Sequence, residues 1–304
     1  MIRNIYILTV LLFLSMSVGW GQDCIDGVEV EIFGWCYNIE ETITLDPSCS
    51  SVNGQIIPPE IGLLTNLQNL EIISGCGLIG EIPPEIGNLS NLTQIKIPNS
   101  NLSGGIPSEI YNLTNLTRID LNNCGLTGQI SSDIGNLSQL DELNLNDNEL
   151  SGEIPSEIGY LSELRELRLY DNNFEGEIPS EIGNLFNLNH LNLMYNQLSG
   201  LIPEEICQIL PMSFEISNNQ FCPPYPWCFE FFGIGIGEQD TSECIECPLY
   251  LGDINSDLTL DILDIVLVVN CILSESCNWC SDFNEDGITN VLDIMSMVDV
   301  IMDY

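Results

Sequence analysis

The sequence predicts an α/β solenoid, with a concave parallel β-sheet and short helical turns on its convex side, followed by a small α-helical module. Three observations carry this. A six-residue motif recurs at near-constant spacing over more than half of the 304 residues, apolar residues alternate inside each repeat, and a two-fold repeat of acidic loops lies near the C-terminus. Composition sets the outer limits. Acidic residues number 45 against 5 basic ones, a net charge of −40, which excludes a nucleic-acid binder because polyphosphate must be met by clustered Lys and Arg. With 44% hydrophobic residues the chain still has enough apolar surface for a core. The single histidine, His190, excludes a histidine-rich metal site and argues against a Ser-His-Asp or Cys-His centre.

Residues 1–21 read as a signal peptide. Arg3 gives a positive start, Ile5 to Met16 is an apolar run, and Gly19 and Gly21 precede a cut before Gln22. A retained membrane anchor is the alternative, disfavoured because the run is shorter than the roughly 20 residues of a membrane span; no later segment is long enough to be one. Removal takes Arg3 and no acid, leaving four basic residues and a net charge of −41. The destination is a secreted or cell-surface setting where disulfides persist. Residues 22–56 form an N-terminal cap with a degenerate first repeat.

Residues 57–221 hold about seven repeats. The string IPPEIG at Ile57 returns at Ile82, then as IPSEI at Ile106, a degraded ISSDIG at Ile130, IPSEIG at Ile154 and Ile178, and IPEEIC at Ile202; after a first interval of 25 residues, every interval is 24. Between them runs Leu143, Leu145, Asn148, Leu150 and Gly152, repeated one period on as Leu167, Leu169, Asn172, Phe174 and Gly176. Leu-x-Leu is a short strand with one buried face, and Pro and Gly turn the chain back along the convex side. This pattern resembles the plant-type leucine-rich repeat with its Gly-x-Ile-Pro segment. The resemblance implies a horseshoe in which no repeat closes a core alone, so that stacked repeats need caps at both ends.

The repeat also sorts the 13 cysteines. Cys76 and Cys124 fall at the asparagine position and Cys49 near it, where the resemblance implies that a thiol serves as a buried weak donor. The others fall in even groups: Cys24 and Cys36; Cys207, Cys222, Cys228 and Cys244; and Cys247, Cys271, Cys277 and Cys280. The first two groups read as disulfides of the terminal caps, the second spanning a Cys-rich cap at 222–247, with the pairing left open. For the last group a four-cysteine zinc site is the alternative to disulfides. Only one CxxC, Cys277 with Cys280, is present to support it.

The acids Glu60, Glu85, Glu109, Asp133, Glu157, Glu181 and Glu205 recur at the third position of the convex turn, where Pro at the first position and an acid at the third stabilise its start. The cations are more informative. Lys96, Arg118, Arg165 and Arg168 all fall on or beside solvent-facing positions of the concave strands, as do His190, Tyr170 and Tyr195. These seven are the candidate ligand-binding residues, for a protein or glycan, because concave solenoid faces bind partners and Arg and Tyr anchor interfaces. The competing reading is that the cations only offset acidic neighbours. Six Asn-x-Ser/Thr sequons, at Asn88, Asn91, Asn101, Asn112, Asn115 and Asn136, follow from the wording of the repeat.

From Gly252 a different two-fold repeat begins. Asp253, Asn255, Asp257, Thr259, Asp261 and Asp264 take positions 1, 3, 5, 7, 9 and 12 of a loop followed by an apolar helix. Twenty-nine residues on, Asp282, Asn284, Asp286, Ile288, Asn290 and Asp293 repeat the spacing before a second helix. Side-chain oxygens at 1, 3, 5, 9 and 12 with a backbone carbonyl at 7 make the hard-oxygen set that Ca²⁺ requires, so two calcium sites are expected. Two polar helix caps are the plainer alternative. Position 6 is Gly287 in the second loop but Leu258 in the first, which predicts weaker binding at the first site.

Over 248–304 this loop–helix duplicate resembles a type I dockerin, an EF-hand-like module of secreted bacterial proteins. The resemblance implies docking to a cohesin-like scaffold or cell surface, mainly in polysaccharide-degrading assemblies, with partner choice resting partly on loop positions 10 and 11. Those are Ile262, Leu263, Val291 and Leu292 here, whose apolar character also fits packing. The expectation is a secreted, non-enzymatic interaction protein, with no nucleic-acid partner and no transmembrane segment. A calcium-dependent adhesin is the alternative. A glycosidase using Asp141, Glu142 or Glu166 is disfavoured, because an open solenoid has no water-excluding pocket.

Overall fold

The computed structural model describes residues 24–47, 49–72, 77–209, 213–223, 225–241, 262–274 and 290–302. The chain divides into two units, Met1–Thr241 and Ser242–Tyr304. The expected signal peptide, Cys76, Cys244, Cys247, Cys277 and Cys280 lie outside the described residues.

An antiparallel hairpin, β1 (Glu29–Ile32) with β2 (Trp35–Asn38), opens the first unit. Eight parallel strands then form the concave sheet: β3 (Thr44–Leu45), β4 (Asn69–Glu71), β6 (Gln94–Lys96), β8 (Arg118–Asp120), β10 (Glu142–Asn144), β12 (Glu166–Arg168), β14 (His190–Asn192) and β16 (Ser213–Glu215). Beside it runs a lateral set. In this set β5 (Ile79–Gly80) pairs with β7 (Asn101–Leu102), and β9 (Thr127–Gly128), β11 (Glu149–Gly152), β13 (Asn173–Gly176), β15 (Gln197–Gly200) and β17 (Gln220–Phe221) pair in sequence. The helices are α1 (Cys49–Val52) and α2 (Trp227–Phe232) in this unit, with α3 (Ile262–Ser274) and α4 (Val291–Met302) in the second.

The Leu-x-Leu rows fill the interior: Leu143, Leu145, Leu167, Leu169, Leu191 and Leu193 are all buried. The convex turns are 3-10 helices of five residues, such as Pro84–Asn88 and Ser156–Tyr160. Each recurrent proline precedes its turn in extended conformation and the acid is the second helical residue, one place earlier than the sequence pattern indicates. A carboxylate there still faces the positive end of the turn. The glycine of the motif is fixed by stacking, since a Cβ on Gly62 would lie 2.6 Å from the Glu85 carbonyl oxygen one turn on.

Two departures from the motif form a matched pair. Tyr111 stands where five of the other turns carry Gly and is buried, and the next copy replaces its proline with Ser131. Proline has no N–H, whereas the Ser131 N–H donates to the Tyr111 hydroxyl at 3.4 Å. The Ser131 hydroxyl in turn accepts the Asp133 N–H at 3.1 Å, capping the turn that lost its proline.

Asparagines tie repeat to repeat. Asn172 Nδ2 donates to the carbonyls of Leu145, Leu169 and Tyr170 at 3.0–3.2 Å, and its Oδ1 accepts the Leu150 N–H at 3.1 Å. Asn148, Asn196 and Asn219 repeat the arrangement. Cys124 takes the same place: its thiol is buried, donates to the Ile97 carbonyl at 2.8 Å, and is pushed up to a pKa of about 11 by burial. A second, exposed ladder uses Asn66, Asn91, Asn115 and Asn187, whose amides donate to carbonyls of the preceding repeat at 2.8–2.9 Å. Two of the sequons, Asn91 and Asn115, therefore have a structural use.

Disulfides close both ends, Cys24 with Cys36 and Cys207 with Cys228, and Cys222 is disulfide-bonded as well. The C-terminal cap also hides one more turn. Gln239 Nε2 donates to the carbonyls of Ile216 and Ile236 at 3.0 and 2.8 Å, and its side-chain oxygen accepts the Phe221 N–H at 3.4 Å. It ends the ladder that Asn219 would otherwise leave open.

Replacing Asn172 by Ala should cost on the order of 3 kcal/mol, because it leaves several buried backbone groups without partners. Cys124→Ala should cost about 1 kcal/mol, for one weak bond and a small void. Urea midpoints of the two variants measure the difference.

Candidate ligand-binding surface

The outward residues of the concave sheet form two rows fixed by strand register. One runs Asn69, Gln94, Arg118, Glu142, Glu166, His190 and Ser213; the other runs Glu71, Lys96, Asp120, Asn144, Arg168, Asn192 and Glu215. Neighbours in a row lie about 4.8 Å apart, so residues one period apart in sequence become side-by-side partners.

Opposite charges meet across this spacing. Lys96 pairs with Glu71 at 2.9 Å, Arg118 with Glu142 at 2.7 Å, and Arg165 with Asp141 at 3.3 Å. Arg168 bridges Glu166 at 2.7 Å and Glu142 at 3.6 Å. Glu142 is only 7% exposed. Burial pushes its carboxyl above the usual carboxylate range, and Arg118 is the main influence pulling it back. Asp120 accepts from Asn144 at 3.2 Å and Glu215 from Asn192 at 2.8 Å. Among the described residues, Arg118 Nε and Asn144 Oδ1 are buried polar atoms with no hydrogen-bond partner.

The seven candidate residues thus divide. Arg165, Arg168 and Tyr170 share one repeat, His190 and Tyr195 the next, and Arg118 stands two strands from Arg168. Lys96 lies a further strand away, held to Glu71. Each of the four cations is engaged with an acid of this sheet, as is each of Asp141, Glu142 and Glu166, so the paired network accounts for the arginines without an external ligand. His190 sits in register between Glu166 and Ser213. Tyr170 is half-buried; burial, then the Asp147 carboxylate to which it hydrogen-bonds, push its hydroxyl above the ordinary range.

Tyr195 is different in kind. The residue before each ladder position has a left-handed backbone: Asn123, Asp147, Asp171, Tyr195 and Asn218 have φ of 51° to 59°, as does Asn99 at 56°. Asn and Asp tolerate this conformation, but a bulky residue there costs roughly 1–2 kcal/mol. Tyr195 adopts it with a side chain 54% exposed, so packing does not compensate. Farther along the rim a shallow depression of about 330 Å³ is lined by Asn196, Asn218, Asn219, Gln220, Glu238, Gln239 and Asp240. Its Gln239 edge belongs to the extra turn. Ile234, Ile236 and Gln239 repeat the spacing of Leu191, Leu193 and Asn196, a signal the Gly-rich wording IGIGEQ disguises.

In the second unit α3 and α4 are in contact, with Val268 and Met297 fully buried. Of the expected calcium ligands, Asp264, Asn290 and Asp293 are described. Asp253, Asn255, Asp257, Thr259, Asp261, Asp282, Asn284, Asp286 and Ile288 lie outside the described residues. Asp264 and Asp293 are both 0% exposed, each in the first turn of its helix. Asn290 caps α4 reciprocally: its side-chain oxygen accepts the Leu292 N–H at 2.8 Å, and its own N–H donates to Asp293 Oδ2 at 2.7 Å. Ile262, Leu263, Val291 and Leu292 are exposed, so packing does not explain their apolar character.

Comparison with known proteins agrees with this architecture. The family model described as Leucine Rich Repeat matches residues 66–89, 115–137, 139–161, 163–185 and 187–209. Among solved structures, a TDR receptor is 36% identical, with a TM-score of 0.54, over 56% of this chain and 30% of that one. The plant peptide hormone receptor RGFR1 in complex with RGF2 is 30% identical, with a TM-score of 0.52, over 59% and 31%. The Arabidopsis receptor kinase HAESA ectodomain, in complex with an extended IDA peptide hormone, is 28% identical, with a TM-score of 0.56, over 62% and 36%. The chain spans about a third of the length of these structures. No curated protein matches it. The solenoid thus carries leucine-rich repeats and is similar to plant receptor structures, and its disulfides and ectodomain likeness fit an extracellular or surface setting. No helix among the described residues is long and apolar enough to cross a membrane.

Replacing Tyr195 by Asn, the residue carried at the equivalent positions 99, 123 and 218, should raise stability by about 1 kcal/mol, since it relieves a strained backbone and removes an exposed ring. Thermal unfolding against the parent chain measures it.

Proposed function

We propose that the chain is a secreted, non-enzymatic interaction protein. Its concave sheet binds a protein or peptide ligand, and its C-terminal unit, ordered by Ca²⁺, docks onto a cohesin-like scaffold or cell surface, as in polysaccharide-degrading assemblies. The observation that carries the first part is the open concave sheet, on which outward side chains are held in fixed rows by register. Such a surface suits an extended partner rather than a reaction needing an enclosed pocket. Structures of similar architecture are described as holding peptide hormones.

The second part rests on the repeated acidic spacing. Residues 242–304 carry no Lys, Arg or His, and Asp264 and Asp293 close two acidic twelve-residue segments of matching pattern, 29 residues apart. The oxygen-rich side chains of both segments match the ligand preference of a hard divalent cation. When bound, Ca²⁺ would be held by Asp253, Asn255, Asp257, Thr259, Asp261 and Asp264 in one loop and by Asp282, Asn284, Asp286, Ile288, Asn290 and Asp293 in the other. The exposed apolar residues at the start of α3 and α4 then offer a docking surface.

Calorimetric titration of the chelator-treated full chain with Ca²⁺ should give two sites, the one containing Leu258 at least several-fold weaker. Asp293→Ala should abolish the tighter one. Absence of binding, or two equal sites, would reject the assignment. Capture of partners from a secretome, with and without chelator, tests docking: partners of the C-terminal unit should depend on calcium and partners of the solenoid should not.

A further inference from the structure

We infer that Tyr195 is the central contact of a ligand-binding strip on the rim of the concave sheet, formed with Tyr170 and Met194 and flanked by Asp147 and Asp171, and that this strip takes a basic peptide segment. The inference rests on the reading of the concave sheet as a ligand surface.

Contiguity comes from the backbone. The Asp147 N–H donates to the Tyr170 carbonyl at 3.0 Å, the Asp171 N–H to the Met194 carbonyl at 3.0 Å, and the Asn172 N–H to the Tyr195 carbonyl at 3.2 Å. The five residues of the strip therefore stand on three successive repeats bonded side by side. In the repeat of Asp147 the place of Tyr170 and Met194 is held by Asn146, so the strip is locally more apolar than the preceding repeat. Tyr195 takes a left-handed conformation that five other repeats give to Asn or Asp, and leaves its ring in solvent. Neither local conformation nor packing favours tyrosine here, whereas an interface anchor does.

Charge decides the partner. All four cations of the described chain pair with Glu71, Asp141, Glu142 and Glu166, and none pairs with Asp147 or Asp171. The flanks of the strip are therefore net acidic, and they complement a peptide carrying Lys or Arg beside an apolar or aromatic side chain. An acidic peptide would meet like charge, and a neutral glycan would leave the carboxylates without a countercharge.

The repeat supplies its own controls, because Asn is already accommodated at the equivalent positions 99, 123 and 218. The full chain is tested on an array of peptides of about 12 residues, matched in apolar content and graded in charge, beside an array of neutral oligosaccharides. The parent chain should retain basic peptides, less strongly as salt rises. Tyr195→Asn and the double variant Asp147→Asn/Asp171→Asn should each weaken that binding at least tenfold without loss of thermal stability. Equal retention of acidic and basic peptides, unchanged binding by Tyr195→Asn, or oligosaccharide binding lost in Tyr195→Asn would each overturn the inference. Peptide binding that is lost in Arg118→Ala or Arg168→Ala but kept in Tyr195→Asn would overturn it while preserving the concave-face reading. Retention of no peptide or sugar at all would reject both.

Discussion

The buried asparagine ladder is the constraint from which the rest of the solenoid follows. A flat stack of short strands leaves backbone N–H and C=O groups of each turn facing the core, where an unmet polar group costs free energy on the scale of a lost hydrogen bond. Asn148, Asn172, Asn196 and Asn219 meet this need by offering donors and an acceptor at once to their own turn and the preceding one. Because each side chain reaches a set distance, the period is held near 24, and a one-residue slip along the stack would break its rungs. Gln239 shows the rule at its limit. The terminal turn retains the bonds of a rung with Gln in place of Asn and glycines between its apolar residues.

Fixed register turns sequence spacing into chemistry. A Glu and an Arg 24 residues apart have no reason to meet in an arbitrary fold, but here Glu142 is brought edge to edge with Arg118 on one neighbouring strand and with Arg168 on the other. The chain has few cations, and the sheet uses all those described to offset its own acids. This argues that the arginines first make the concave face tolerable as a surface. On the proposed reading of this face, binding specificity falls to groups outside that network, which is why the tyrosine rim carries more weight there than the arginine row.

Much of this was legible in the sequence, for a physical reason: repeat architecture converts one local pattern into the whole fold. Period and inward leucines follow from spacing, the thiol of Cys124 as a ladder donor from the resemblance, and the grouping of the terminal cysteines, though not their pairing, from their places beside the repeats. Less legible were features that depend on pairs of repeats. Tyr111 and Ser131 look like two independent lapses until the hydroxyl and the N–H are seen to meet. The left-handed conformation at position 195 is invisible in composition, although aligning repeats by period exposes the tyrosine in a column of Asn and Asp. The Gly-rich turn before Gln239 was hidden because glycines replaced the polar residues that mark a repeat.

The two units face the same electrostatic problem with different means. Both carry buried carboxylates: Glu142 in the solenoid, Asp264 and Asp293 in the C-terminal unit. In the solenoid the compensating charge is covalently part of the chain, as Arg118 and Arg168, so Glu142 has its countercharge at any ionic composition. In the C-terminal unit no basic residue exists to do this. On the proposed function the compensating charge there is a cation from solution, and the order of that unit is linked to the cation's concentration by mass action. That proposal makes attachment depend on the medium, whereas Glu142 keeps its arginine partners in any medium.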